Sequence, residues 1–233
     1  RNGAEAFTLA GKVAGAGRIR PLGMRVGRDG IEARVSGRPV NGLAELATVL
    51  PAQAIDPEVH RLVEGGPQER RRFVDWGVFH VEPSFVDHWR RYQRARRQRN
   101  AALRTHQPAA VVRAWDPELI EAGQLVADYR WRYLGQLVPH VAAVGIRLPG
   151  EPVEIARNQG WSADRTLEEA TRHSWARDAE RGLTHSGPHR ADLSVRFGGA
   201  AARDRVSGGQ QKLAAGSLLL GQLRCDAEQG SDV

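Results

Sequence analysis

The residues with the clearest chemical potential stand just before the apolar run from Leu213 to Leu223. A Ser-Gly-Gly-Gln sequence begins the predicted helix there, and its two glycines let the backbone come close to a ligand. The first amides of a helix have no partner inside it and lie at the positive end of its dipole, where a phosphate fits. The alternative is an ordinary Ser-Gly helix start without a ligand. The candidate phosphate ligands are Ser207, Gly208, Gly209, Gln210 and Lys212.

A second compact segment lies upstream of this helix start. It consists of Gly187, Pro188, His189 and Arg190. Together the two segments resemble the ABC-type ATPase heads of SMC-like DNA repair proteins, in which a Gly-Pro-His-Arg segment precedes a Ser-x-Gly-Gln signature. This resemblance predicts that His189 and Arg190 help to shape the site near the signature, without assigning a proton-transfer role to either.

A longer stretch makes the resemblance more specific. Residues Leu62–Arg72, then Phe73–Pro83 and Arg97–Arg104, are similar to the RecF family of bacterial recombination mediators. The match is collinear from Glu5 to about Gln222. A run of the form Leu-x-x-Gly-Gly-Pro-x-x-Arg-Arg-x-Phe-x-Asp-Trp is far more specific than any short motif.

The resemblance implies a cytoplasmic, ATP-dependent DNA repair protein that binds ATP with Mg²⁺. It would bind single- and double-stranded DNA and partner recombination proteins, load recombinase at gaps, and support replication and the SOS response. Two heads would form an ATP-dependent homodimer in which the Ser207 signature of one head contacts the γ-phosphate held by the other. No membrane partner is implied. The alternative is a nucleotide-independent module that binds DNA or docks a partner.

Two parts of an ATP site are missing from the sequence. A Walker A loop needs Gly-x-x-x-x-Gly-Lys-Ser/Thr, because amides, a lysine and a hydroxyl must surround the phosphates and Mg²⁺. Here Gly11-Lys12 is followed by Val13, and no apolar strand ends in paired acids as a Walker B does. We therefore expect an internal portion of a longer protein that does not hydrolyse ATP alone. Whether Gln53 or Glu58 serves as a lobe-linking contact to Mg²⁺ stays open.

The composition favours an anionic partner. The chain has 233 residues and a formal net charge of +7, which suits nucleic acid. Only Lys12 and Lys212 are lysines, so a biased genome could also produce this arginine content. A single cysteine excludes an internal disulfide and suits a reducing compartment, and no apolar run reaches the length of a membrane span.

One arginine-rich stretch is a candidate DNA surface. It lies on a helix predicted from Ser84 to about Thr105, and so many like charges repel unless they are solvated or matched by phosphates. A solvated helix face is the alternative. The candidate DNA-binding residues are Arg90, Arg91, Arg94, Arg96, Arg97 and Arg99.

The remaining pattern predicts the architecture. Apolar and polar residues alternate within residues 5–35, which predicts consecutive antiparallel strands. A second long helix is predicted from Asp116, and Pro139 is expected to kink or shorten it. Thr166-Leu167-Glu168-Glu169 predicts a capping box that opens one helix to about Arg181.

The fold class is α/β, or α+β within this fragment. It is predicted to be an ABC-type ATPase head with part of the β lobe and a helical lobe II built on two long antiparallel helices. Residues 1–55 would be the antiparallel β portion of lobe I, and residues 56–233 lobe II through the signature helix. No catalytic residue and no metal site is predicted, since Gly187 and Pro188 break helical geometry between His185 and His189.

Overall fold

A computed structural model describes residues 5–15, 18–40, 43–50 and 52–230. The chain divides into two compact units, Arg1–Ala54 and Ile55–Asp232. Each unit has its own sheet, and the sheets have four and three strands. The assignment of these units to the two lobes of an ATPase head stays a prediction.

The first unit is an antiparallel meander, as the alternation of apolar residues predicts. Each strand pairs with the next one in the chain, and β3 is followed by a turn in which Ser36 and Gly37 have positive φ angles of 50° and 80°. Phe7, Val26 and Ile31 share one register position and therefore one face of the sheet. The elements are β1 (Ala6–Gly15), β2 (Arg18–Gly27), β3 (Gly30–Val35), β4 (Arg38–Pro39) and α1 (Leu43–Val49).

The second unit is mainly helical. Its strands form an antiparallel sheet in the order β5-β6-β7, and a 3-10 turn spans Pro188–Arg190. The helices are α2 (Arg61–Glu64), α3 (Pro67–Val81), α4 (Phe85–Arg104), α5 (Ala109–Arg113), α6 (Asp116–Arg147), α7 (Leu167–His173), α8 (Trp175–Arg181) and α9 (Gly208–Gly230), and the strands are β5 (Val153–Asn158), β6 (Asp192–Phe197) and β7 (Ala200–Ala201).

Helices α4 and α6 are the two long antiparallel helices that the sequence predicts. Ser84, just before α4, shares a 2.7 Å hydrogen bond with Tyr129 in the middle of α6, whereas Arg99 near the end of α4 donates to Asp116 at the start of α6. Because a later residue of α4 contacts an earlier residue of α6, the two helices run in opposite directions.

The core of the second unit surrounds α6. The wholly buried side chains include Leu119, Val126, Leu137 and Val141 of α6 and Leu218 of α9. Burial of a leucine or valine side chain contributes about 1.5–3 kcal/mol. The helices α6 and α9 also approach closely, since a Cβ placed on Gly221 would lie 2.7 Å from Val141. This packing fixes the position of the signature helix.

Two sequence expectations about helix lengths are wrong. Helix α6 continues through Pro139 to Arg147. Pro139 and Gly135, whose carbonyl loses its helical partner there, are both exposed, so water can satisfy that carbonyl. The helix opened by Thr166 ends at His173, and α8 begins again at Trp175. Ser174 lies between the two helices, and its hydroxyl is 3.2 Å from both the Thr171 carbonyl and Oδ2 of Asp178.

Candidate phosphate-binding and nucleic-acid-binding sites

The start of α9 is closed by a reciprocal cap. The Ser207 N–H donates to Oε1 of Gln210 at 2.8 Å, and the Gln210 N–H donates to Oγ of Ser207 at 3.3 Å. This arrangement satisfies two amides that the helix cannot satisfy internally. Ser207 therefore caps this helix, while its contact with a phosphate stays a prediction.

The signature is accessible from outside. Ser207, Gly208, Gly209, Gln210 and Lys212 are all exposed. A Cβ placed on Gly208 would meet no atom within 4 Å, and one on Gly209 would meet only Oγ of Ser207, at 4.0 Å. The glycines therefore leave open space around the first amides of the helix, which is what a close-approaching anion needs.

Gln211 holds this helix start in place. Its side chain is buried and its Nε2 donates to the carbonyls of Ala202 and Arg203, at 3.2 and 2.9 Å. The next residue, Lys212, is exposed. Gln211 lies in the first turn of α9 and anchors the helix to the turn that follows β7.

The Gly-Pro-His-Arg segment packs against α4. Gly187 has a φ of 138°, and a Cβ at that position would lie 2.4 Å from the Tyr92 hydroxyl. His189 shares hydrogen bonds with the Tyr92 hydroxyl through Nδ1 (2.5 Å) and with the Thr184 carbonyl through Nε2 (3.0 Å). Since a carbonyl only accepts, Nε2 carries the proton and Nδ1 accepts from Tyr92.

His189 is neutral in this setting. Burial lowers its pKa to about 3, and the nearby positive charge of Arg96 adds to the effect. Burial also raises the pKa of Tyr92 above its ordinary value. The pair is therefore a neutral hydrogen bond and not a proton-transfer couple at neutral pH.

Three arginines outside the sequence-predicted site hold the segment, and the two residues that follow it, Ala191 and Asp192, on the other side. Arg130 forms a bidentate pair with Asp75, at 2.7 and 2.9 Å, and donates to the Pro188 carbonyl at 2.6 Å. Arg70 and Arg71, from the Gly-Gly-Pro-x-x-Arg-Arg run, follow the same pattern. Arg70 makes a bidentate pair with Asp192, and Arg71 donates to the Ala191 carbonyl at 2.7 Å. The two sequence motifs are thus joined directly in space.

The contacts of the Gly-Pro-His-Arg segment can be compared with the prediction that His189 and Arg190 shape the site near the signature. Among the described residues, the hydrogen bonds of Gly187–Arg190 run to α4, α6, Thr184 and Gly160, and none runs to Ser207–Lys212. Arg190 is exposed. A role of His189 and Arg190 in shaping the signature site stays a prediction, and the contacts assign His189 to the joint between α4 and the segment.

Arg99 cannot be a DNA contact in this structure. It is wholly buried and pairs with Asp178 and Asp116, each at 2.7 Å, and it also donates to Thr184 at 3.0 Å. A guanidinium with two carboxylate partners inside the protein has no surface for a backbone phosphate. The sequence-based assignment of Arg99 to a DNA surface is therefore corrected to a structural role.

The other arginines of α4 differ in how free they are. Arg91 is held by Glu118 and Glu121, and Arg96 is half-buried. Three arginines separated by four and three residues are exposed along one face, which we call the basic stripe, and the first of them, Arg90, lies 3.6 Å from the exposed carboxylate of Asp87. The basic stripe consists of Arg90, Arg94 and Arg97.

Other predicted positions lie outside these sites. Glu58 is exposed and its N–H donates to Asp56, while Gln53 is half-buried. Across residues 5–15, 18–40, 43–50 and 52–230, no group of three or more His, Cys, Asp and Glu side chains could hold a metal ion. No helix in that part of the chain is long and apolar enough to span a membrane.

Curated relatives are similar to the chain over most of its length. A RecF protein of Thioalkalivibrio sulfidiphilus, described as a DNA replication and repair protein, is 44% identical over 201 residues. That alignment covers 85% of this chain and 55% of the relative. The RecF protein of Pseudomonas fluorescens is 43% identical and is covered over 56% of its length, with 86% of this chain aligned. The chain thus spans about half the length of the curated relatives it matches. No protein-family model matches the chain.

Solved structures agree on the fold. A structure of the recombination mediator RecF with ATP in the RecFOR pathway superposes with a TM-score of 0.85, and a second one with ATPrS gives 0.83. The first alignment covers 99% of this chain and 66% of the solved one at 21% identity, and the second covers 97% and 65% at 20% identity. The predicted fold, an ABC-type ATPase head, is confirmed.

Proposed function

This chain is homologous to the RecF proteins over most of its own length, and from that premise we propose that its signature helix completes an ATP site held by a second head. Ser207 and the amides of Gly208 and Gly209 would contact the γ-phosphate of that ATP. Gln210 would release its bond to the Ser207 amide and turn to the same phosphate. In this arrangement ATP and Mg²⁺ act as the link between two copies in an ATP-dependent homodimer.

One observation carries the proposal. Residues 207–210, at the start of a 23-residue helix, are exposed. They include two glycines with open space around them, and the reciprocal cap between Ser207 and Gln210 covers the helix start. In both capping bonds a backbone N–H donates to a side-chain oxygen, and a phosphate oxygen can replace either acceptor. The Ser207 hydroxyl and the Gln210 amide can then donate to the phosphate. The positive end of the helix dipole adds to the attraction.

The proposed cellular role follows the family. The protein would bind single- and double-stranded DNA through the basic stripe and work with other proteins of its recombination pathway to load recombinase at gaps. We place this activity in the cytoplasm, within DNA replication, repair and the SOS response. Hydrolysis of the shared ATP would separate the heads and release the DNA.

Substitution of Ser207 tests the proposal. In a longer RecF-type protein that carries this segment, Ser207→Arg puts a long side chain where the phosphate must approach the amides, so ATP should no longer induce dimers in analytical ultracentrifugation. Gln98→Arg adds the same charge at another exposed position and serves as the matched control. Dimers that form equally well with Ser207→Arg and with the wild-type sequence would contradict the proposal.

A second function is supported by the basic stripe alone. Arg90, Arg94 and Arg97 are exposed on a single helix face, and such a face binds nucleic acid phosphates without nucleotide. If this were the whole function, the DNA affinity of the chain would fall steeply with salt and would be the same with and without ATP. An affinity that salt does not change would exclude it.

A further inference from the structure

A pocket of about 290 Å³ opens between α3 and α4. One wall is formed by Arg71 and Arg72 of α3, and the opposite wall by Trp89, Gln93 and Arg96 of α4. The residues of α4 are separated by four and three positions, so they lie on one helix face. The pocket is therefore a built feature between two packed helices and not a loose surface depression.

The guanidinium groups in this pocket are not neutralised equally. Arg130, at the base, has the carboxylate of Asp75 as a bidentate partner. Arg71 has only the Ala191 carbonyl, and Arg96 has only the side chain of Gln93. In the described part of the chain neither Arg71 nor Arg96 has a carboxylate at ion-pair distance.

Unused hydrogen-bond capacity accompanies this charge. Nε of Arg96 is buried and has no hydrogen-bond partner. A buried, unsatisfied donor on a charged group is costly, so Arg96 has hydrogen-bonding capacity that the protein itself does not use. The pKa of Arg71 is lowered, first by burial and then by the charge of Arg130, although the carboxylates of Asp192 and Asp75 act in the opposite direction.

We propose that this pocket binds a backbone phosphate of single-stranded DNA, with Arg71 and Arg96 as its ligands and a base stacked on Trp89. Arginine pairs are well suited to phosphate oxygens because each offers several donors in a fixed plane. Trp89 is 37% exposed, and an exposed indole beside arginines is the usual combination for binding unpaired bases.

The basic stripe favours a DNA strand over a free nucleotide as the source of the phosphate. It lies on the same helix as the pocket wall and extends seven residues, or about 10 Å, which is longer than one nucleotide. A strand held in the pocket by one phosphate could therefore continue along Arg90, Arg94 and Arg97. The identification of the ligand as DNA rests on the proposed function. The pocket itself requires only that its ligand carry a phosphate group.

The test measures binding of a fluorescent oligothymidylate to the chain by anisotropy at several salt concentrations. We expect Arg96→Gln and Arg71→Gln each to weaken binding about tenfold and to reduce the salt slope by about one phosphate contact. Trp89→Leu should weaken binding without changing the slope. Arg172→Gln removes an arginine that pairs with Glu168 on α7 and should have no effect. Thermal unfolding of each variant shows whether a loss of binding is due to a loss of folding. If Arg71→Gln unfolds the protein, Arg71→Lys is used instead, because it keeps the positive charge but not the fixed plane of donors.

The outcomes distinguish the pocket from the wider proposal. In one outcome, Arg96→Gln and Arg71→Gln have no effect, whereas changing Arg90, Arg94 and Arg97 to glutamine abolishes binding. This result would contradict the pocket as a phosphate site and would leave the proposed DNA binding of the chain intact. Binding of AMP or inorganic phosphate that depends on Arg71 and Arg96, with no binding of any oligonucleotide, would overturn DNA as the ligand.

Discussion

Nη1 of Arg99 lies 2.7 Å from Oδ2 of Asp178, and neither side chain has any exposed surface. The pair joins α4 to α8, and Asp116 ties the same guanidinium to the start of α6. Oδ1 of Asp178 also accepts the backbone N–H of His185. A residue that belongs to an arginine-rich run in the sequence is thus the centre of a buried network that holds three helices together.

Removal of Arg99 should destabilise the fold. Arg99→Ala leaves the buried carboxylate of Asp178 without its cation, and such a loss costs about 3–5 kcal/mol. Urea unfolding measures the change in the free energy of unfolding. Arg97→Ala, two residues away and exposed, should change it by less than about 0.5 kcal/mol. Equal effects of the two substitutions would contradict the structural role.

His189 should make the protein less stable in mild acid. Its folded pKa is about 3, below the value of about 6.5 for an unfolded chain. Between these values the unfolded state binds more protons, so stability is present above pH 6.5 and is lost as the pH falls towards 3. The loss approaches a limit of about 1.4 kcal/mol per pH unit.

The comparison for His189 uses a glutamine, which keeps one donor and one acceptor for Tyr92 and Thr184. The free energy of unfolding of the wild type should fall faster than that of His189→Gln between pH 6.5 and 5. Parallel pH profiles of the two proteins would show that His189 takes up a proton in the folded state.

Asp226 should have the opposite pH dependence. Burial raises its pKa to about 6 although Tyr133 donates to its Oδ1 at 3.0 Å. The folded state then binds more protons than the unfolded state from about pH 4 to 6, so this carboxyl lowers stability as the pH rises through that window. Asp226→Asn removes the charge and should raise the melting temperature at pH 7.5 with little effect at pH 4. A lower melting temperature at pH 7.5 would show that the carboxylate is stabilising.

Gly187 should tolerate no side chain. Gly187→Ala puts a methyl group 2.4 Å from the Tyr92 hydroxyl at a positive φ, so both strain and crowding oppose it, and a cost of about 1–3 kcal/mol from the backbone alone is expected. Gly150→Ala is the matched control, since Gly150 also has a positive φ but has no atom within 4 Å of its Cβ position. A smaller loss of unfolding free energy for Gly187→Ala than for Gly150→Ala would contradict the crowding.

The sequence predicts much of this architecture because its patterns are local. The alternation of residues 5–35 predicts the meander, and the cap at Thr166 is found with both of its reciprocal bonds. The shortening that the sequence allows for at Pro139 does not occur, because the Gly135 carbonyl that loses its helical partner is exposed to water. The resemblance of the motifs to the RecF family implies the fold, which superposition on solved RecF structures confirms.

The buried arginines could be predicted only in part. Arg99 lies four residues after Ala95 and four before Leu103, and Arg130 is spaced in the same way between Val126 and Leu134. A charge on an apolar face signals burial with a partner. The partners are not predictable in this way, since Asp178 and Asp75 are distant in sequence and are brought close only by the packing of the helices.

Complementation between two defective heads tests the central claim, that the signature completes an ATP site held by another copy. One version of a longer RecF-type protein carries Ser207→Arg, and the other lacks its Walker A lysine. Each version alone should fail to dimerise with ATP, whereas a mixture should form dimers, because the intact signature of one copy meets the intact Walker A of the other. If ATP induces no dimers in the mixture, the signature does not act on ATP bound to the partner head.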